Sequence, residues 1–314
     1  MRSIPSELVS AVAELPWMRH MLDVVFAVRA RLYLVWLQRL QPARAQRLLL
    51  RRLIRTHRGT AFGLMHDFAR IRDEADFRRL VPLQPSRDLP WTPQRLAIHR
   101  QAMRAALALA VQQCPRRTRL LTRPLVWLGE EAHRQASLPR LLHHLAHTAT
   151  SGEVGCAIGP ASRVAPWLPH AAACISWNDG TPAVGIELLV CPEGTVAIRA
   201  AHDSIYRLLV DHGMYFEFLP LQERTQPYPR RLSLAEVQPG AVYELVVSSA
   251  AAWATRTGLG VRFESAVPLF RRVELPTLVP EVETSAGRQT APQLPLPLLP
   301  RWDSPRPSPQ HRLA

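Results

Sequence analysis

Three groups of residues in this chain have types and spacings that chemistry could use. His143, His144 and His147 lie in "LHHLAH", and at helical spacing His143 and His147 share one face, as a pair of zinc ligands would. The glutamate of H-E-x-x-H is absent and no third ligand is evident, so an exposed histidine-rich helix is the favoured reading. The stretch "TATSGEVG" (Thr148 to Gly155) has the small and hydroxyl residues of a phosphate loop. It lacks the G-K-[ST] ending, which favours an ordinary polar loop. "TRTGLG" (Thr255 to Gly260) directly follows the strand-like run "VYELVVSS". Its Gly-x-Gly could approach a nucleotide phosphate or could simply turn a hairpin. No G-x-S-x-G elbow and no Ser-His-Asp set accompanies these groups.

Composition narrows what the groups can belong to. With 314 residues, 47% of them hydrophobic, the chain can bury a sizeable core as one large domain or two small ones. The longest apolar run, Met21 to Leu37, is interrupted by Asp23, Arg29 and Arg31, and no transmembrane segment is expected. "MRSIPSELVS" lacks the apolar core of a secretory signal. Cys114, Cys156, Cys174 and Cys191 have no paired or metal-ligand spacing and read as reduced thiols of a cytoplasmic protein. The formal net charge is +14 and every basic residue is arginine, a pattern that a GC-rich coding bias produces as readily as selection for phosphate contacts. Arg44, Arg47, Arg51, Arg52, Arg55 and Arg58 are the densest cluster. Most of them line one helix face, opposite Leu48, Leu49 and Leu53. A solvated face is the favoured reading. A nucleic-acid or anionic-membrane surface is the alternative, with no specific nucleic-acid motif to support it.

The elements that must position these groups change character along the chain. Residues 7–58 read as two or three amphipathic helices broken at Pro16 and Pro42. A short helix is expected around Asp73 to Leu80, one from the Thr92 cap and Pro93 to about Gln113, and another from about Leu138 to His147. From Gly185 the period becomes that of strands: "GIELLV", "TVAIR", "MYFEFL", "VYELVVS" and "VRFES". "MYFEFL" should place Tyr215, Glu217 and Leu219 on one face and Met214, Phe216 and Phe218 on the other. The last 39 residues hold nine prolines and read as a disordered tail, so the expected division is a domain at 1–275 and a tail at 276–314.

Motif order now suggests an origin. "DHGMYFEFLPLQE", "LAEVQPGAVYELVVSSAAA" and "THRGTAFG…HDFARIRDEADFRRLVPLQ" are similar to conserved blocks of the auxin-responsive promoter (Gretchen Hagen) family of acyl-acid amido synthetases, which are adenylate-forming enzymes. The resemblance runs from about residue 45 to 275, and is patchy between Leu83 and Leu189. It implies a truncated, divergent bacterial member with an α/β fold: a reduced adenylate-forming N-terminal domain, helical in its first half, with a mixed, mostly antiparallel β portion in its second. It further implies ATP and Mg²⁺ as cofactors and adenylation of a small carboxylic acid followed by transfer to an amino acid.

Three parts of that chemistry can be checked on the matching positions. Where a Ser/Thr/Gly-rich triphosphate loop should precede the Thr92 helix, the chain has only "PLQPSRDLPW". The turn that carries a glutamate near the metal matches Cys191, Pro192, Glu193 and Gly194, which makes Glu193 a weak metal ligand. In the turn whose aspartate holds the ribose, Arg256 matches the arginine and Gly258 the glycine, while Leu259 stands where the aspartate belongs. Tyr215 joins Glu193, Gly194, Arg256 and Gly258 as the nucleotide-binding remnant implied by the resemblance. The small C-terminal domain that carries a catalytic lysine is expected to be missing, replaced by the tail. A divergent, catalytically impaired synthetase-like pseudoenzyme is therefore expected. The alternatives are a non-catalytic binder of a ligand or of a protein partner not identified by the sequence, and an arginine-rich polyanion binder.

Overall fold

The computed structural model describes residues 15–86, 92–113, 120–130, 134, 138, 146–147, 153–200, 203–264 and 268–276. His143, His144, Thr148 to Gly152, Cys114 and the proline-rich tail lie outside them, and of His147 only the backbone is described.

The helices come first. α1 (Pro16–Arg39) and α2 (Pro42–His57) each begin with proline at the first turn, where a missing N–H costs nothing. The two prolines expected as breaks therefore act as starts. α3 (Ala61–Met65) is capped by Thr60, whose Oγ1 accepts from the Gly63 N–H. α4 (Glu74–Leu80) is capped by Asp73, whose carboxylate accepts from the Asp76 N–H at 2.9 Å. α5 (Pro93–Gln113) begins as expected, with the Arg95 N–H donating to Thr92 Oγ1. α6 (Ala161–Val164) is a single turn. Among the described residues no helix is long and apolar enough to cross a membrane.

Eleven strands form one mixed sheet. They are β1 (Leu125–Trp127), β2 (Ala146–His147), β3 (Val154–Pro160), β4 (Ala171–Trp177), β5 (Ile186–Cys191), β6 (Gly194–Arg199), β7 (Tyr206–Leu208), β8 (Tyr215–Pro220), β9 (Val242–Ser248), β10 (Thr255–Phe263) and β11 (Leu269–Val273). Their order is β2-β1-β3-β4-β5-β6-β7-β11-β10-β9-β8, parallel as far as β5 and antiparallel from there on. The α/β class, the helical first half and the antiparallel second half match the expectation. The helix expected to end at His147 is corrected at its described end, where Ala146–His147 pairs with β1 as a strand. β1, β3 and β4 were not foreseen. "VGCAIGP" and "AAACISW" are short runs of small residues buried on both sides, and such strands do not alternate.

Three packed layers position the site. α5 lies on β4, β5 and β6, and Ala105, Ala106, Leu107, Ile175, Leu188 and Ile198 share its core. The antiparallel half encloses a second core, in which Met214, Phe216 and Phe218 meet Leu245, Val247, Val261, Phe263 and Phe270. The opposite face of β8 and β9 turns Tyr215, Leu219 and Val246 toward Leu50, Leu53 and Ile54 of α2, Phe68, and Phe77 of α4. The two faces of β8 are those its alternation predicts. α2 is fastened to β8 by Gln46, which is buried: its Nε2 donates to the carbonyls of Val210 (2.7 Å) and Met214 (3.0 Å), and its Oε1 accepts from the Phe216 N–H (2.7 Å). β8 is the last strand of the sheet, so Gln46 satisfies backbone groups that would otherwise be an open edge.

Candidate functional site

The segment "TRTGLG" is not the turn of a hairpin. Thr255 to Phe263 is one strand, and the reversal from β9 occurs before it, in residues 249–254, closed by the Ser249 N–H on the Ala252 carbonyl. The pairing of β10 with β9 slips between Arg256 and Gly260, and Gly258 takes up the extra length at φ +70°. A left-handed glycine serves a bulge and a turn equally well, which is why the sequence pattern did not separate them.

Around this bulge the candidate nucleotide contacts are already occupied. Glu244 of β9 is buried and held by two guanidiniums: Arg224 Nε at 2.8 Å, and Arg256 through Nε at 3.2 Å and Nη2 at 2.5 Å. The Gly258 N–H also points at Glu244 Oε1, at 3.3 Å. Burial alone would push this carboxyl up, but the bonds from Arg256 and Arg224 outweigh it and hold Glu244 below the usual carboxylate range. Leu259 packs against the core inside the antiparallel strands. Two of the expected remnant residues, Arg256 and Gly258, thus close on an internal carboxylate, and the third position of the motif is core.

Glu193 and Gly194 sit elsewhere, in the turn from β5 to β6. Glu193 is buried. Ser86 Oγ donates to its Oε1 at 3.2 Å, and Oε2 has no hydrogen-bond partner. Arg95 of α5 donates to the neighbouring Cys191 carbonyl at 3.3 Å. Burial pushes the Glu193 carboxyl up, against the opposing pull of Cys191, Ser86 and Arg95. Gly194 is at φ +147°, and a Cβ there would stand 3.4 Å from Ile98 and from Met214. Among the described residues no group of three His, Cys, Asp or Glu is placed to hold a metal ion.

Tyr215 lines no cleft. It is fully buried, edge-on to Phe77 with ring centroids 5.8 Å apart, and burial drives its hydroxyl pKa up. Beside it Glu217, also fully buried, faces Arg231 Nη1 at 3.4 Å and Arg78 Nε at 3.7 Å. Burial pushes Glu217 up while Arg231 and Arg78 oppose it. Arg231 also donates to the carbonyls of Arg78 and Val81, so this cluster anchors α4 to the sheet. The strand register puts Glu217, Val246 and Arg256 side by side, hence Tyr215 and Arg256 share a sheet face. Glu193 and Gly194 lie on strands separated from β10 by β7 and β11. The five expected residues do not converge on one cleft.

The cavity that does carry convergent polar groups runs beside α1. It measures about 620 Å³ and is lined by Phe26, Tyr33 and Trp36 of α1, Arg104 of α5, and Asp211 and His212 from the loop before β8.

 His212 Nε2 is hydrogen-bonded with the Tyr33 hydroxyl at 3.3 Å, and His212 Nδ1 lies 2.9 Å from Asp211 Oδ1 without a hydrogen bond between them, a short Asp-His-Tyr row at the wall. Burial pushes the Tyr33 hydroxyl pKa up, Asp211 adds to the rise and Arg104 opposes it. Arg29 and Arg104 are exposed at this cavity and form no ion pair among the described residues. The sequence reading treated "DHG" as a turn only. A buried histidine between an acid and a helix tyrosine shows no local signal, because Tyr33 and His212 are far apart in the chain.

Two family models match the chain: the GH3 family N-terminal domain over residues 37–97 and the GH3 family central domain over residues 207–264. These two stretches are similar to the GH3 family. The N-terminal GH3 segment contains α2, α3 and α4, and the central one contains β8, β9 and β10 with Tyr215, Arg256 and Gly258. Glu193 and Gly194 fall outside both. Among solved structures this chain is similar to "GH3.15 acyl acid amido synthetase" at 21% identity over 34% of this chain and 22% of that one, TM-score 0.26. It is also similar to "AtGH3.15 acyl acid amido synthetase in complex with 2,4-DB" at 19% identity over 37% and 23%, TM-score 0.28. The chain thus spans less than a quarter of the length of these structures. No curated protein matches it.

Proposed function

We propose that this acyl-acid amido synthetase-like chain binds a small carboxylic acid without adenylating it. The observation that carries the reading is the closure of the β10 bulge: Arg256 and the Gly258 N–H are spent on Glu244, and Leu259 is packed into the core. The residues present were tested against ATP and Mg²⁺, the cofactors that the family resemblance implies. Glu193 offers one unpartnered carboxylate oxygen, fewer ligands than Mg²⁺ needs from a protein without phosphates held beside it. No carboxylate stands at 259 to accept from ribose hydroxyls, and a leucine side chain leaves them unpaired. The set does not fit the nucleotide.

The acid has a better place in the cavity beside α1. Phe26, Tyr33 and Trp36 supply apolar and aromatic wall, and Arg29 and Arg104 supply cations that no described carboxylate neutralises. Its volume lies within the range of small-molecule sites, roughly 300–1,000 Å³. Two measurements on the purified chain test the reading. A panel of aromatic and aliphatic carboxylic acids should raise the melting temperature, and Arg104→Gln should remove the rise. ATP–pyrophosphate exchange with the same acids should stay at background. Acid-dependent exchange that Glu193→Ala abolishes would put an active synthetase in place of a binding protein.

A further inference from the structure

A second charged site lies on the other side of the helical layer. A groove of about 380 Å³ runs between α2 and the segment from Phe68 to Glu74. Arg47, Arg51, Arg55 and Arg58 enter it from α2, and Arg72 faces them from the far wall. The apolar floor includes Leu50, Ile54 and Phe68, all buried. The sequence of α2 explains the alignment: arginines at three- and four-residue spacing share a face, and the helix contains no Asp or Glu to pair with them.

None of these five arginines forms an ion pair among the described residues, and all five are exposed. Eleven other described arginines are paired. Arg70, Arg78, Arg79, Arg123, Arg199, Arg224, Arg230, Arg231, Arg256, Arg262 and Arg271 all meet an Asp or Glu. Two acids reach the groove. Asp73 is committed as the cap of α4, and burial pushes the Glu74 carboxyl up, toward its neutral form, while Arg78 and Arg47 oppose this. Like charges gathered at one mouth repel, and a multiply charged anion between them removes that repulsion.

We propose that this groove binds a ligand carrying clustered phosphates. Guanidinium forks match phosphate oxygens two at a time, which is the chemistry five arginines and no lysine supply. The limited size of the groove favours a discrete ligand over a duplex, which would track charge along the whole helix and would use Arg44 and Arg52 as well. Neither of those arginines lines the groove. The phosphates could belong to a soluble polyphosphate compound or to a phosphorylated lipid headgroup, and the two sources share the same contacts.

Calorimetric titration of the chain with tripolyphosphate at about 150 mM salt tests the site, with vesicles containing a phosphatidylinositol bisphosphate as a second arm. One saturable site per chain is expected. Arg51→Gln with Arg55→Gln should weaken it by at least about tenfold, the loss of two charge-assisted contacts. Arg44→Gln with Arg52→Gln removes the same charge from the same helix and should change affinity less than about threefold. Vesicle binding that the first pair abolishes assigns the phosphates to a lipid, and binding of tripolyphosphate alone assigns them to a soluble ligand. Equal losses from both pairs would reduce the groove to a diffuse positive field, and the proposal fails. It also fails if no saturable binding is seen. If the first pair does not melt cooperatively, Arg58→Gln reads the same site alone.

Discussion

Replacing Leu259 with aspartate restores the residue type of the family's ribose-binding turn and asks whether that position is still a ligand contact. In the structure it is a packing contact. Leu259 is mostly buried and packs against the cluster that holds Val261 and Phe263. Burying a leucine is worth about 1.5–3 kcal/mol, so exchanging it for a carboxylate should cost about 2 kcal/mol before any desolvation of the new charge. In a domain of this size each kcal/mol lowers the melting temperature by about 2–4 °C, and the variant should melt about 4–8 °C below the parent. Nearby Glu244 is saturated by Arg224 and Arg256, so the new acid finds no free guanidinium there. Thermal unfolding followed by circular dichroism gives the first readout, and equilibrium binding of ATP gives the second. Lower stability with no gain in ATP affinity is expected. A variant that melts with the parent and binds ATP more tightly would refute the closed-site reasoning.

Three further outcomes follow from the packing and the charges. Gln46→Leu leaves the Val210 and Met214 carbonyls and the Phe216 N–H without partners, and at about 1 kcal/mol each should destabilise by about 3 kcal/mol in urea unfolding. An effect under about 0.5 kcal/mol would mean α2 is not fastened through this amide. Phe216→Ala should cost about 3–5 kcal/mol, since the ring is fully buried opposite Val247, and a mild loss would place the strand on the wrong face. Glu236 is held down to about 2 chiefly by its bond to Arg78, from an ordinary value of 4.5. A depressed folded pKa stabilises above the unfolded value, so its contribution should be complete above about pH 4.5 and fade as the pH falls toward 2. The melting-temperature difference between the parent and Glu236→Gln, followed across that range, should close as it is lost; a difference independent of pH would rule the bridge out.

Local pattern was enough for the elements that depend on neighbours in sequence. The Thr92 cap and Pro93 marked the start of α5, because a first turn needs only a residue without an N–H and a nearby side-chain acceptor, whereas Pro16 and Pro42 read as breaks and open α1 and α2. Alternation in "MYFEFL" told which residues of β8 face which core, since a strand has period two whatever it packs against. The β10 bulge, the strands β1, β3 and β4 and the site were not legible in this way. Gly258 permits a turn or a bulge, and only the pairing of β10 with β9 and β11 selects the bulge. Whether Arg256 meets a ligand or Glu244 depends on a strand twelve residues away, and whether His212 is a turn residue or the middle of an Asp-His-Tyr row depends on α1 lying across it. The five arginines of α2 and Arg58 at its C-cap were visible as a helix face from spacing alone. That four of them share a groove with Arg72 was decided by the packing of the Phe68 to Glu74 segment, because charge placement across a fold is set by contacts between elements and not by the order of residues within one.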